Sequence, residues 1–330
     1  MMNYVKCREG MDIHPVDAAY ACYNKDETVR AASTSGGVFS SIAAYVIGEL
    51  GGVVFGACFD KQFNIQHVEI DELGQIDLLR GSKYPQSNLG SSFRRVKEIL
   101  RQGRIVLFTG SPCQVAGLVS FLGEKPAGLL LMDFVCHGVA SPGVWRGYLD
   151  EMEDSSTITR ITFKHKIKGW KKWHFMIERG DERKYVRGSM NPFMRSYLQY
   201  SNVRPSCYSC RFKGLSRESD FTISDCWGVG ERNENLNDDR GLSALLIRGI
   251  WAKEIFEAIS HDIEYQEYDA EVLMSGNWTA ESSVPINADR AAFFDSYAKH
   301  GTRTALEKYY SPTALSWLQY YLKRLKGVER

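Results

Sequence analysis

The chain has 330 residues, 44% apolar and 25% charged, a balance that suits a folded protein with a substantial core and excludes wholly disordered or fibrous classes. Its 41 basic and 40 acidic side chains nearly cancel, which removes the broad positive field of a dedicated nucleic-acid binder. No run approaches the ~20 apolar residues of a membrane-spanning helix and no apolar leader segment is evident, so a cytoplasmic protein with reduced cysteines is expected.

Residues 1–30 show little periodicity and read as an irregular lead-in strand or arm. Thr34-Ser35-Gly36-Gly37 then opens a helix over Val38–Ile47, closed by Gly51-Gly52 and followed by the β-branched run Val53-Val54-Phe55. A second strand, Gln66–Ile70, leads to a short helix ending near Leu79, the turn Gly81-Ser82-Lys83-Tyr84, and an amphipathic helix from Ser91 to Gln102. The strand Arg104–Phe108 stops before Gly110, and Ser111-Pro112 supplies a cap and a first-turn proline for the next helix. Leu129–Phe134 is another strand, and Ser141-Pro142 starts another helix. This alternation through about residue 150 predicts an α/β lobe with a mixed sheet. Thr157–Phe163, Trp173–Glu178 and Lys184–Val186 predict an antiparallel insertion. Asp220–Ser224 and Leu242–Ile247 are expected to return to the main sheet. The C-terminus reads as helical over Asp289–Tyr309 and Pro312–Lys326, the latter with a stripe of Leu315, Leu318, Leu322 and Leu325.

Four of the eight cysteines stand beside glycine, proline or polar turns: Cys113 in Ser-Pro-Cys-Gln, Cys136 in Val-Cys-His-Gly, and Cys207 and Cys210 in Cys-Tyr-Ser-Cys. Such punctuation lets a backbone wrap a bound centre, and a helix N-terminus at Cys113 favours a thiolate. Spacing leaves an iron–sulfur cluster, a structural zinc, a dithiol redox pair and unligated thiols all open. Cys7, Cys22, Cys58 and Cys226 lack this context and read as small buried hydrophobes. His137, next to Cys136, reads as a proton shuttle or a hydrogen-bonding neighbour of the site.

Ser35-Gly36-Gly37, Gly81-Ser82-Lys83-Tyr84 and Thr109-Gly110 with Gln114 combine glycine with hydroxyls and could cradle a pyrophosphate on backbone N–H groups, with Lys83 as counter-charge. Each is equally a plain turn or helix start, and no G-x-G-x-x-G follows a strand. Lys164 to Trp173 gathers five lysines, a histidine and two indoles. That stretch is either a solvated turn or a contact for an acidic protein or phosphorylated ligand.

Taken together, Ser35-Gly36-Gly37-Val38-Phe39-Ser40, Gly52–Ala57, Leu79–Tyr84, Ser111–Gln114, Val135–Gly138, Arg204–Cys210 and Ser224-Asp225-Cys226-Trp227-Gly228 resemble the coenzyme F420 hydrogenase/dehydrogenase beta-subunit family, including bacterial members found with polysaccharide-biosynthesis genes. The resemblance covers about residues 30–290. It implies a flavin-dependent iron–sulfur oxidoreductase, with Cys113, Cys136, Cys207 and Cys210 on a [4Fe–4S] cluster. FAD is then expected against Ser35, Gly36, Gly37, Gly81, Ser82, Lys83, Tyr84, Thr109, Gly110 and Gln114. By the same resemblance, residues 1–30 form an arm, 31–110 a flavin-binding region, 111–290 an iron–sulfur region and 291–330 terminal helices.

Many bacterial relatives carry an N-terminal ferredoxin module that this chain lacks, so a separate electron-donor or acceptor protein such as a ferredoxin is the expected partner, beside a small-molecule substrate. Ser224 replaces the glycine usual before the Asp-x-Trp-Gly motif. The alternative is a non-catalytic, metal-stabilised scaffold or partner subunit of polysaccharide assembly. A third reading is reduction of a nucleotide sugar or polyprenyl-linked sugar, contacted by Lys166, Lys168 and Lys171.

Overall fold

The computed structural model describes residues 13–152, 154–228, 236 and 238–312. The chain divides into two compact units. One comprises 1–83, 87–137 and 209–283, and the other 84–86, 138–208 and 284–330. The leucine stripe expected over 315–325 and Cys7 lie outside the described residues.

The first unit is built on an eight-stranded sheet. In chain order its strands are β1 (Ala18–Asn24), β2 (Val53–Phe59), β3 (Ile65–Ile70), β4 (Val106–Thr109), β5 (Leu129–Phe134), β9 (Phe221–Asp225), β10 (Ser243–Ile247) and β11 (Ile263–Glu267). Their spatial order is β11-β1-β10-β9-β5-β4-β2-β3. β2, β4, β5 and β9 run parallel, whereas β3 at one side and β10, β1 and β11 at the other join antiparallel. The expected mixed sheet is therefore present, and both late segments return to it. The lead-in is more regular than its composition indicates, because alternate burial of its side chains seats β1 between β10 and β11.

Strand alternation divides the apolar residues between two faces. Val54, Leu107 and Leu130 meet the helices Val38–Gly48 and Ile250–Ile259. Val53, Phe55, Val106, Phe108, Leu129 and Leu131 meet Ser92–Arg101 and Pro112–Leu122. Near-continuous apolar strands covered on both faces are the pattern of a parallel sheet between helical layers. The central strands thus aim their carboxyl-terminal loops, which carry Thr109–Gln114 and Val135–Gly138, to one edge.

The second unit carries the predicted antiparallel insertion as a three-stranded sheet, β6 (Arg160–His165), β7 (His174–Arg179) and β8 (Glu182–Arg187). Trp145, Phe163, Phe175 and Phe193 pack mutually at its centre, with Trp145 4.9 Å from both Phe163 and Phe193. The long helix Arg290–Tyr310 packs on Pro142–Asp150 and Pro192–Leu198 and is interrupted at Gly301. There the Glu151 carboxylate accepts the N–H groups of Thr302 and Arg303, a side-chain cap that restarts the helix. Among the described residues no helix is long and apolar enough to cross a membrane.

Candidate functional site

Burial separates the cysteines along the line drawn from their sequence context. Cys22, Cys58 and Cys226 are buried, and burial pushes the Cys22 and Cys58 thiols up. Cys113 is exposed, Cys136, Cys207 and Cys210 are partly exposed, and none of the four is in a disulfide. Four soft donors kept off the core suit thiolate chemistry.

Cys113 is the second residue of the helix Pro112–Leu122, with its Sγ 3.2 Å from Ser111 Oγ. Gln114 holds that turn. Its Oε1 accepts the Ser111 N–H at 2.9 Å, and its Nε2 donates to Ser87 Oγ at 2.9 Å. Cys136 follows β5, the parallel neighbour of β4, so Cys113 and Cys136 leave adjacent strand ends. The Cys136 carbonyl accepts from Lys213 Nζ at 2.6 Å, and the same ammonium donates to Thr279 O at 2.6 Å. Thr279 Oγ1 is 3.1 Å from His137 Nε2, which puts His137 in a hydrogen bond beside the cysteine loop. The Cys210 N–H donates to Ser283 Oγ at 2.9 Å. Cys207 belongs to the second unit, in the turn Pro205–Ser209. There a Cβ added at Gly138, whose φ is +90°, would lie 3.3 Å from Cys207 Cβ.

The glycine loops of the first unit are tied to one another. Thr34 Oγ1 accepts the Ser82 N–H at 2.8 Å, and the Ser35 hydroxyl donates to Asp225 of the Asp-Cys-Trp-Gly segment. Gly36 packs so closely that a Cβ would stand 2.4 Å from Cys22 O, and Gly37 takes φ +94° to cap the helix Val38–Gly48. Thr109 Oγ1 donates to Phe55 O, and the Gly110 N–H to Met132 O. Lys83 turns inward, donating to the carbonyls of Leu78, Leu79, Arg80 and Gly81 at the end of the helix Ile76–Leu79. Burial pushes its amine down to about 8. Tyr84 lies in the second unit against Tyr197 and Phe163. The side chains of Lys83, Thr109 and Gln114 and the N–H groups of Gly36, Ser82 and Gly110 are thus committed within the protein, while the turn at Gly81 is exposed.

The family described as the carboxy-terminal region of the coenzyme F420 hydrogenase/dehydrogenase beta subunit matches residues 103–271, which include all four candidate cysteines. The chain belongs to this beta-subunit family. It is thereby related to oxidoreductases at that level. Its fold is similar to a chain in a structure described as a xenon derivatization of the F420-reducing [NiFe] hydrogenase complex from Methanosarcina barkeri. The TM-score is 0.55 at 15% identity, covering 90% of this chain and 92% of that one. Comparison with curated protein sequences gives no match.

In this beta-subunit relative, no three Cys, His, Asp or Glu side chains among the described residues are grouped to hold a single metal ion. Zinc and a [4Fe–4S] cubane both take four converging thiolates, the cubane with each thiolate on its own iron. The donor chemistry of four thiols outside the core fits the cubane.

Sequence pattern alone misses His67, which alternation in β3 marks only as inward-facing. Its Nε2 meets Thr109 O at 3.0 Å, its ring stacks on Phe108, and its buried Nδ1 has no hydrogen-bond partner. Donation to a carbonyl assigns the proton to Nε2 and leaves Nδ1 an acceptor. Burial, helped by the Lys83 charge, lowers its pKa from 6.5 to about 4. The unfolded chain takes up this proton below about 6.5, while the folded chain resists until about 4. Stability therefore falls as pH drops through that window, by about 3 kcal/mol from this group once both states are protonated. Urea unfolding at pH 7 and 4.5 should show a steeper acid loss in the natural protein than in His67→Gln. Equal losses would refute the assignment.

Proposed function

We propose that the chain is an iron–sulfur flavoprotein oxidoreductase subunit that passes electrons between a protein partner and a small-molecule substrate. The observation that carries this reading is the placement of Cys113, Cys136, Cys207 and Cys210 outside the core, while Cys22, Cys58 and Cys226 are buried within it. Those four thiolates would hold a [4Fe–4S] cluster, and Ser35, Gly36, Gly37, Gly81, Ser82, Lys83, Tyr84, Thr109, Gly110 and Gln114 would border FAD.

When bound, the cluster supplies one-electron exchange and the flavin supplies hydride transfer. The protein's own part is positional. Lys213 and Ser283 fix the backbone at Cys136 and Cys210, Gln114 fixes the turn at Cys113, and Thr34 and Asp225 hold the glycine loops in register. Residues 138–208 carry 13 basic and 7 acidic side chains, a bias that suits an acidic electron-transfer protein such as a ferredoxin. The reading extends to the polysaccharide-biosynthesis setting of the bacterial proteins that the chain resembles.

Anaerobic purification followed by iron, sulfide, zinc and flavin analysis tests it. About four irons per chain and flavin released on denaturation are expected. Colourless protein holding zinc and no flavin would favour the scaffold reading instead.

A further inference from the structure

We infer that Lys213 is a positioning residue for the sulfur centre: it fixes the backbone around Cys136 and Cys210 and raises the reduction potential at which a cluster there works. The inference rests on the iron–sulfur reading above. Lys213 is only 3% exposed, three residues beyond Cys210, and its ammonium bridges Cys136 O and Thr279 O at 2.6 Å each. Through Thr279 the bridge reaches His137, and through Ser283, four residues on, the same segment holds the Cys210 N–H. One amine thus joins three stretches of chain, 136–137, 210–213 and 279–283.

Two properties of the ammonium matter separately. As a charged donor it makes bonds roughly twice as strong as neutral ones, which a buried loop can use as a tether. As a positive charge in a poorly solvated place it acts on whatever negative charge is bound close to Cys136. A cubane on four thiolates is anionic and becomes more so on reduction, so a nearby ammonium favours the reduced form. Sequence spacing gave no sign of this, since Lys213 reads as one of several basic residues after the Cys-x-x-Cys pair.

The test uses the full chain purified anaerobically, with Lys213→Met, Lys213→Gln and Lys213→Arg variants. Iron content, the one-electron midpoint potential followed by electron paramagnetic resonance, and the thermal midpoint of the iron-free protein are measured. Lys213→Met should unfold at lower temperature without iron, and Lys213→Gln, which keeps an uncharged donor group, should lie between it and the natural protein. Both uncharged variants should reduce at more negative potential by at least tenfold in the equilibrium, about 59 mV for one electron. Lys213→Arg should restore most of the potential. If the Met and Gln variants shed iron, retention by the Arg variant supports the same role and equal shedding by all three overturns it. Natural potential in either uncharged variant also overturns it. Iron-free natural protein would instead remove the reading on which it stands.

Discussion

Cys207→Ser with Cys210→Ser should strip nearly all bound iron while leaving the thermal midpoint of the iron-free protein close to that of the natural chain. Both residues are partly exposed and lie outside the apolar clusters on either face of the large sheet, so a serine hydroxyl there meets water and not a sealed core. Cys226→Ser should do the reverse. That side chain is fully buried, and a hydroxyl in its place costs roughly 1–3 kcal/mol unless it finds a partner, with iron retained. The two substitutions together separate an electron-transfer subunit from a metal-stabilised scaffold. In a scaffold, unfolding would track metal loss in the paired serine variant, and that coincidence would count against the redox reading.

Arg217→Met should destabilise the first unit by about 3–5 kcal/mol. Arg217 and Asp133 are 5% and 1% exposed, and Nη1 lies 3.0 Å from Oδ2. The guanidinium also donates to the carbonyls of Gly214 and Phe134, so one side chain secures the end of β5 just before Cys136. Its removal leaves a carboxylate inside the protein whose Oδ1 already lacks a hydrogen-bond partner, and the nearby Arg248 guanidinium is committed to Ser219 O, Thr222 Oγ1 and Leu215 O. Replacing both partners at once, Asp133→Leu with Arg217→Met, should recover much of the loss, because the penalty comes from the orphaned charge more than from the missing pair. Urea unfolding of the two variants measures this. A single-variant loss below about 1 kcal/mol would show that solvent reaches Asp133 after all.

The sheet was legible because its strands are short apolar runs closed by glycine or by Ser-Pro starts, as at Leu129–Phe134 and Ser111-Pro112. Cys22, Cys58 and Cys226 are buried as their context indicated, since local glycine and proline mark turns and an unpunctuated cysteine such as Cys22 sits inside a strand. Other features were illegible for physical reasons. The division into two units joins stretches as remote as 84–86 and 284–330, and compactness of that kind leaves no local periodicity. Lys213 earns its place through carbonyl oxygens at positions 136 and 279, and main-chain acceptors have no sequence signature. Lys83 shows the opposite limit. Its type and its glycine neighbour suggested an outward counter-charge, yet four carbonyls at a helix end were within reach and took the ammonium.

The place of β1 has a consequence for biosynthesis. Ala18–Asn24 emerges from the ribosome early, but its two sheet partners are Ser243–Ile247 and Ile263–Glu267. At about 5–20 residues per second the strand waits roughly ten seconds or more with both hydrogen-bonding edges unmatched. A nascent chain halted near residue 240 would expose that strand to chaperones or to a like strand on a neighbouring ribosome, which makes release of intact protein sensitive to translation speed over its last third.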